Sequence, residues 1–385
     1  MRGTDEDQRC PLCEAREFFA VYTPVGSAVR SQVNLCSRCA FVGLVHSPVQ
    51  RNSTADENFG ILSCDADYSV IRVGKEQMLE SSWKLICSSF DSSECSQVLD
   101  MSSARGHFVE RIVQSFPDAE IACLEPDIYM TSNYENLNNV QIHRSIDQID
   151  IHEKKFDLIY SCHSLEHYKD PLKNLRLMRN LLSEGGHLYV EVPNSKIITT
   201  NFVVEEFFYD HHNCYFFEEV LENAVSSVGL RIVNRDVDLG SLRLVLAKAP
   251  EIPCQIDSRR SFSKEVHAWI QNYAERLNKN RELLPQIVES WELGKGGKTF
   301  AIVGCGRLLD ALVKYGRLDI VEDALLYDSV LSKIDYFSRR GKIRPLNELE
   351  HSNPDQVVIA AQSSVAHLND VVQRYCPNAQ VFRIA

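Results

Sequence analysis

Four cysteines near the start of the chain stand in two tight pairs, Cys10-Pro-Leu-Cys13 and Cys36-Ser-Arg-Cys39. Two such pairs, separated by a loop of about two dozen residues, suit a tetrahedral shell of four thiolates around one zinc ion. Metal binding of this kind stabilises a segment too short to bury much apolar surface, so residues 1–60 are expected to form a zinc ribbon. With every position filled by Cys10, Cys13, Cys36 and Cys39, no coordination place stays open for a substrate, and the ion would be structural. The thirteen cysteines do not imply an oxidising compartment, because nine of them are scattered singly along apparent strands and helices. They read as reduced thiols, without disulfides.

A second set of chemistry-bearing residues follows strand-like runs. Residues 97–101 end in the small-residue loop Ser102-Ser103-Ala104-Arg105-Gly106, and a helical pattern begins at His107. The next apolar run ends in Glu125, Pro126 and Asp127. Strand, turn, helix, strand, acid is the order of a nucleotide-binding βαβ unit, in which the turn admits a ligand to the backbone and the acid accepts hydrogen bonds from ribose hydroxyls. Ser102 and Ala104 occupy places where glycines are usual, and only Gly106 remains. Further on, residues 156–161 read as a buried strand, Glu166 and His167 as a loop brace, and Asp170-Pro171 as a helix start. A strand follows Gly185 and Gly186.

These elements belong to a chain of 385 residues, more than one core usually serves, so two or three domains are expected. A formal charge of −12 argues against a nucleic-acid groove, which needs clustered Lys and Arg. No apolar run approaches the roughly 20 residues of a membrane span, no signal h-region opens the chain, and a cytoplasmic address is expected. Val266, Ile270, Tyr273 and Leu277 fall on one face of a helix expected over 258–292, broken by Gly294 to Gly297. Residues 298–313 then open another βαβ pattern, in which Gly304-Cys305-Gly306-Arg307 could cradle a phosphate with Arg307 as a bidentate partner.

The string FDLIYSCHSLEHYKDPLKNLRLMRNLLSEGGHLYVEVPN resembles the class I S-adenosylmethionine-dependent methyltransferases. That resemblance implies an α/β Rossmann-like domain over 61–250 and S-adenosylmethionine as cofactor. It assigns cofactor contacts to Asp100, Ser102, Ala104, Gly106, Glu125 with Pro126, and the loop around His163, with Ile146 and Asp147 near the adenine. The whole layout is similar to the zinc-containing nucleotide-sugar C-methyltransferases, on the strength of FFYDHHNCYFF, LGSLRLVLAK and the late GCGR strand. It implies a second Rossmann-like, substrate-binding domain within 251–385 and a small-molecule substrate, a nucleotide-sugar. The segment places Tyr209 and His212 on the family's Tyr and basic His, while Asp210 and His211 replace its His and Glu, so the charge around the base is altered. Carbon methylation needs a base near neutral pKa and a donor for the enolate. His212 suits the first, and Tyr209, Tyr215 or Tyr68 the second. Arg243, in the Gly-Ser-x-Arg strand, and Tyr215 are expected at the substrate. The altered residues leave O- or N-methylation of another metabolite open, and the glycine-poor loop leaves a noncatalytic scaffold open.

Overall fold

The protein is described from a computed structural model, over residues 9–24, 31–46, 79–89, 95–104, 106–127, 131, 134–149, 154–200, 203–209, 212–250, 260–305, 307–318, 324–328, 343–361 and 365–384. Tyr68, Asp210 and His211 lie outside them. The chain divides into two compact units. One takes in the described residues of Met1–Ala55, Leu79–Thr200 and Glu206–Tyr273, the other those of Asn201–Glu205 and Ala274–Ala385. The cysteine segment thus shares a unit with the residues expected to form the methyltransferase domain, rather than standing apart.

In the first unit, β1 (Phe18–Tyr22), β2 (Gln32–Cys36) and β3 (Val42–Val45) form an antiparallel meander. The larger sheet is built from β4 (Gln97–Asp100), β5 (Glu120–Leu124), β6 (Val140–His143), β7 (Phe156–Cys162) and β8 (Leu182–Pro193), all parallel. Next in the chain, β9 (Cys214–Tyr215) leaves this sheet and pairs with β3. β10 (Leu230–Val237) and β11 (Ser241–Lys248) return to the large sheet, whose order is β10-β11-β8-β7-β4-β5-β6, with β11 antiparallel to both neighbours. Helix α1 (79–87), α2 (His107–Ser115), α3 (Pro171–Leu181) and α4 (Glu218–Ser227) complete the unit. The inner strands are continuously apolar, as in Val98-Leu99, Leu158-Ile159 and Leu244-Val245-Leu246, all buried. Strands of a sheet covered on both faces take that pattern. Asp170 caps α3 by accepting from the Lys173 amide at 2.9 Å, with Pro171 at the first helical position.

Neighbours of β4 are β5 on one side and β7 on the other, so the strand order reverses there. Ligands of open α/β sheets bind outside the carboxyl ends of strands at such a reversal. Asp100, Glu125 and His163 stand at the carboxyl ends of β4, β5 and β7.

Helix α5 (Arg260–Ser290) carries the expected stripe, with Val266, Ile270, Tyr273 and Leu277 fully buried, and it tolerates Pro285 in its interior. Its second half begins the other unit, where β12 (Phe300–Val303), β13 (Leu325–Tyr327), β14 (Ile343–Arg344), β15 (Gln356–Ile359) and β16 (Gln380–Arg383) form a wholly parallel sheet in the order β14-β13-β12-β15-β16. Helices α6 (Arg307–Gly316), α7 (Leu349–Ser352) and α8 (Val365–Tyr375) accompany it. Within this unit Arg281 donates to the Val204 carbonyl at 3.0 Å and lies over the Tyr315 ring.

Candidate active site

At the reversal, Asp100 is buried. Its Oδ1 accepts from the Ser102 amide at 3.1 Å, while its Oδ2 has no hydrogen-bond partner among the described residues. Burial pushes its carboxyl up to about 7, partly held back by the Ser102 amide. Glu125 accepts from the amides of Ala104 (2.8 Å) and Asp127 (2.9 Å), and burial pushes its carboxyl up as well. The turn between β4 and α2 takes left-handed backbone at Ala104 (φ 42°) and Gly106 (φ 81°). A glycine is required at 106, because a Cβ there would lie 2.1 Å from Cδ1 of Tyr134, whose hydroxyl donates to the Ala104 carbonyl at 3.0 Å. Ala104 and Pro126 are exposed, and Ile146 and Asp147 sit on a short 3-10 turn capped by Ser145. A buried acceptor without a donor, an acid at the tip of β5 and a tight turn between them fit an adenosyl cofactor.

Alongside, the loop after β7 and the loop after residue 208 bring imidazoles and carboxylates together. His212 is buried, its Nε2 hydrogen-bonded to the Tyr209 hydroxyl and 4.0 Å from Oε1 of Glu166. His163 Nδ1 lies 3.4 Å from the same oxygen, and the His167 ring stands edge-on to His212 with centroids 4.9 Å apart. Glu166 does not brace the loop as expected: neither of its buried oxygens accepts a hydrogen bond from the described residues. The bracing falls to Asn213, whose amide donates to the Glu166 carbonyl (2.8 Å) and whose Nδ2 donates to the His167 carbonyl (2.6 Å). The Asn213 carbonyl accepts from Leu44 of β3 at 2.9 Å, so the cysteine-bearing sheet holds the His212 loop directly.

Two expected substrate residues turn inward. The Tyr215 hydroxyl accepts from the Tyr209 amide (2.9 Å) and donates to its carbonyl (3.1 Å), shaping the loop. Arg243 is buried and donates to Glu191 (3.1 Å), Asp236 (3.1 Å) and Asp238 (2.8 Å). Burial opposes its charge, but the Asp238 hydrogen bond and the Glu191 charge outweigh that and raise its pKa. Glu191 also takes hydrogen bonds from Tyr189 (2.8 Å) and Ser82 (3.2 Å). Burial alone would raise Glu191, yet His163, then Arg243 and Tyr189, hold it below the usual glutamate value. Arg307 opens α6, and its side chain is not among those described.

The four cysteines converge. Sulfur separations are 3.5 Å for Cys10–Cys39 and for Cys13–Cys36, and all four sulfurs lie within 4.8 Å of one another. A tetrahedron with zinc–sulfur bonds of about 2.3 Å has edges of about 3.8 Å, so the donor set fits. Each pair is followed by a left-handed residue, Glu14 (φ 56°) and Ala40 (φ 62°), which curls the knuckle back on its first cysteine. All cysteines among the described residues are free thiols.

Residues 67–235 match the methyltransferase domain family. The chain is an enzyme, an S-adenosylmethionine-dependent methyltransferase. No curated protein matches it. Similar solved structures include the CcbJ methyltransferase from Streptomyces caelestis, at 14% identity over 44% of this chain and 89% of that one, TM-score 0.36. An S-adenosylmethionine-dependent methyltransferase from Clostridium acetobutylicum shares 16% identity over 52% of this chain and 99% of its own, TM-score 0.35. One from Mesorhizobium loti shares 14% over 43% and 96%, TM-score 0.36. At these values the likeness bears on neither substrate nor mechanism. Among the described residues no helix is long and apolar enough to cross a membrane.

Proposed function

We propose that the enzyme methylates a carbon beside the ketone of a nucleotide-linked sugar, with His212 as the base. The observation that carries this reading is the buried His212 hydrogen-bonded to the Tyr209 hydroxyl beside Glu166. S-adenosylmethionine supplies an electrophilic methyl group, so the protein's task is to align the acceptor and take its proton. A hydroxyl or amine acceptor needs at most a base, whereas a carbon acceptor needs both a base and a donor for the enolate oxygen. An imidazole paired with a phenol provides the two in one place. Asp100, Glu125 and the Ser102–Gly106 turn hold the cofactor, with Pro126, Ile146, Asp147 and His163 around it. Four cysteine thiolates hold a structural zinc, and the loop after β12 with Arg307 takes the nucleotide phosphates.

The test is solvent exchange. Incubated in deuterated water with nucleotide-linked keto-sugars, the enzyme is expected to wash out the proton next to the ketone, and the new methyl is expected on that carbon. A methyl on oxygen or nitrogen without exchange would replace this reading with O- or N-methylation.

A further inference from the structure

Glu166 lies on the 3-10 turn Leu165–His167 at 1% exposure, with neither oxygen hydrogen-bonded to any of the described residues. A carboxyl withdrawn from water in this way either holds a proton of its own or is matched by a positive charge. Among the described residues, the nitrogens within ion-pair distance are His163 Nδ1 at 3.4 Å and His212 Nε2 at 4.0 Å. Arg243 is committed to Glu191, Asp236 and Asp238. The two imidazoles cannot share one role, because a histidine that holds the counter-charge is protonated and accepts nothing.

Geometry divides the roles. His163 is nearer to Glu166, its other nitrogen faces Glu191 at 3.9 Å, and its side chain is 35% exposed, so it sits between two acids with access to water. Its backbone is left-handed (φ 50°), a conformation unfavourable for histidine, and is fixed by its amide donating to the Glu191 carbonyl at 2.9 Å. His212 is farther away, more buried, and shares its Nε2 with Tyr209. Facing Glu166 and His212 from the surrounding elements are His167, Tyr168, Tyr209, Cys214 and Tyr215; behind His163 stand Cys162, Glu191 and Arg243. Asp210 and His211 lie outside the described residues.

We propose that His163 carries the proton that balances Glu166, which leaves His212 neutral and able to accept a proton. His163 is then a positioning residue for charge, and its kinetic consequence rests on His212 being the base.

Nitrogen-15 NMR of the histidine-labelled, zinc-loaded full chain tests the assignment without substrate, with His163→Gln and His212→Gln identifying the two resonances. At neutral pH the His163 ring is expected to be charged and the His212 ring neutral. The reverse, or two neutral rings, overturns the proposal. In the pH profile of kcat/KM, His163→Gln is expected to move the acid limb up by about one unit, because Glu166 then draws the proton onto His212. Glu166→Gln should move the limb down and cancel the effect in the double variant, and an unmoved limb in an active His163→Gln enzyme also overturns the proposal. If the NMR charges are as expected but His212→Gln still turns over, the base assignment fails while the charge assignment stands.

Discussion

Replacing Arg243 with Met removes the guanidinium while keeping an unbranched apolar side chain, and the structure sets the size of the effect. Arg243 is 8% exposed at its side chain; Asp236 and Asp238 are 47% and 55% exposed, so those two pairs contribute at most about 1 kcal/mol each. Glu191 is 3% exposed, and breaking a buried pair costs about 3–5 kcal/mol because the remaining charge is stranded. Tyr189 and Ser82 still donate to Glu191, which favours the lower end, about 3 kcal/mol. The loss depends on pH. In the native protein Glu191 lies below its ordinary value, so its stabilising contribution is present above the unfolded glutamate pKa and is lost as pH falls. Without Arg243, His163 and the Tyr189 hydrogen bond still oppose burial, so the folded pKa rises from its native position and the penalty fades as pH falls through the glutamate range. Urea unfolding of the zinc-loaded full chain should show a large deficit near pH 8 that is smaller at about pH 4. A deficit below about 1 kcal/mol, or one equal at both pH values, would refute the reasoning.

His212→Ala is expected to abolish turnover while leaving S-adenosylmethionine affinity near normal by calorimetry; parallel loss of both contradicts the role of base. Glu125→Ala should weaken cofactor binding by about 1–3 kcal/mol in the same experiment. Cys36→Ser should lower folded yield and zinc content by elemental analysis, because a four-cysteine site missing one ligand loses much of its folding energy. An unchanged metal content would remove the knuckle from the folding account.

Periodic and capped elements were legible in the sequence. The stripe on α5, the Asp170-Pro171 start of α3 and the apolar runs of β4, β5, β7 and β12 all fall where local pattern puts them. Contacts set by strand register were not. Arg243 and Glu191 are direct partners across β11 and β8, a pairing visible only once the register is known, so the sequence assigned Arg243 to the substrate instead. The two-residue β9 has no periodicity, and its pairing with β3 joins segments roughly 170 residues apart, which is why the cysteine segment looked separable. Tyr134 likewise gives no local sign that its ring lies against Gly106.

One device appears in both parallel sheets and bears on how an acid at a strand tip should be interpreted. Glu125, at the end of β5, ties the turn after β4 through the Ala104 amide; Asp328, just beyond β13, ties the turn after β12 through the Cys305 amide at 2.6 Å. Both turns also need left-handed backbone, at Gly106 and at Gly304, where a Cβ would lie 2.9 Å from the Ala360 carbonyl oxygen. An acid in this place therefore holds the turn in shape whether or not a ligand is present. Each carboxylate oxygen of Glu125 accepts one amide and keeps a second lone pair, so gripping a ribose and holding the turn are compatible. Loss of cofactor affinity in Glu125→Ala consequently mixes a missing contact with a loosened turn. Glu125→Gln separates them: its amide oxygen still accepts from one backbone donor, but the charge is gone, so weakened binding with an intact fold points to direct contact with the cofactor.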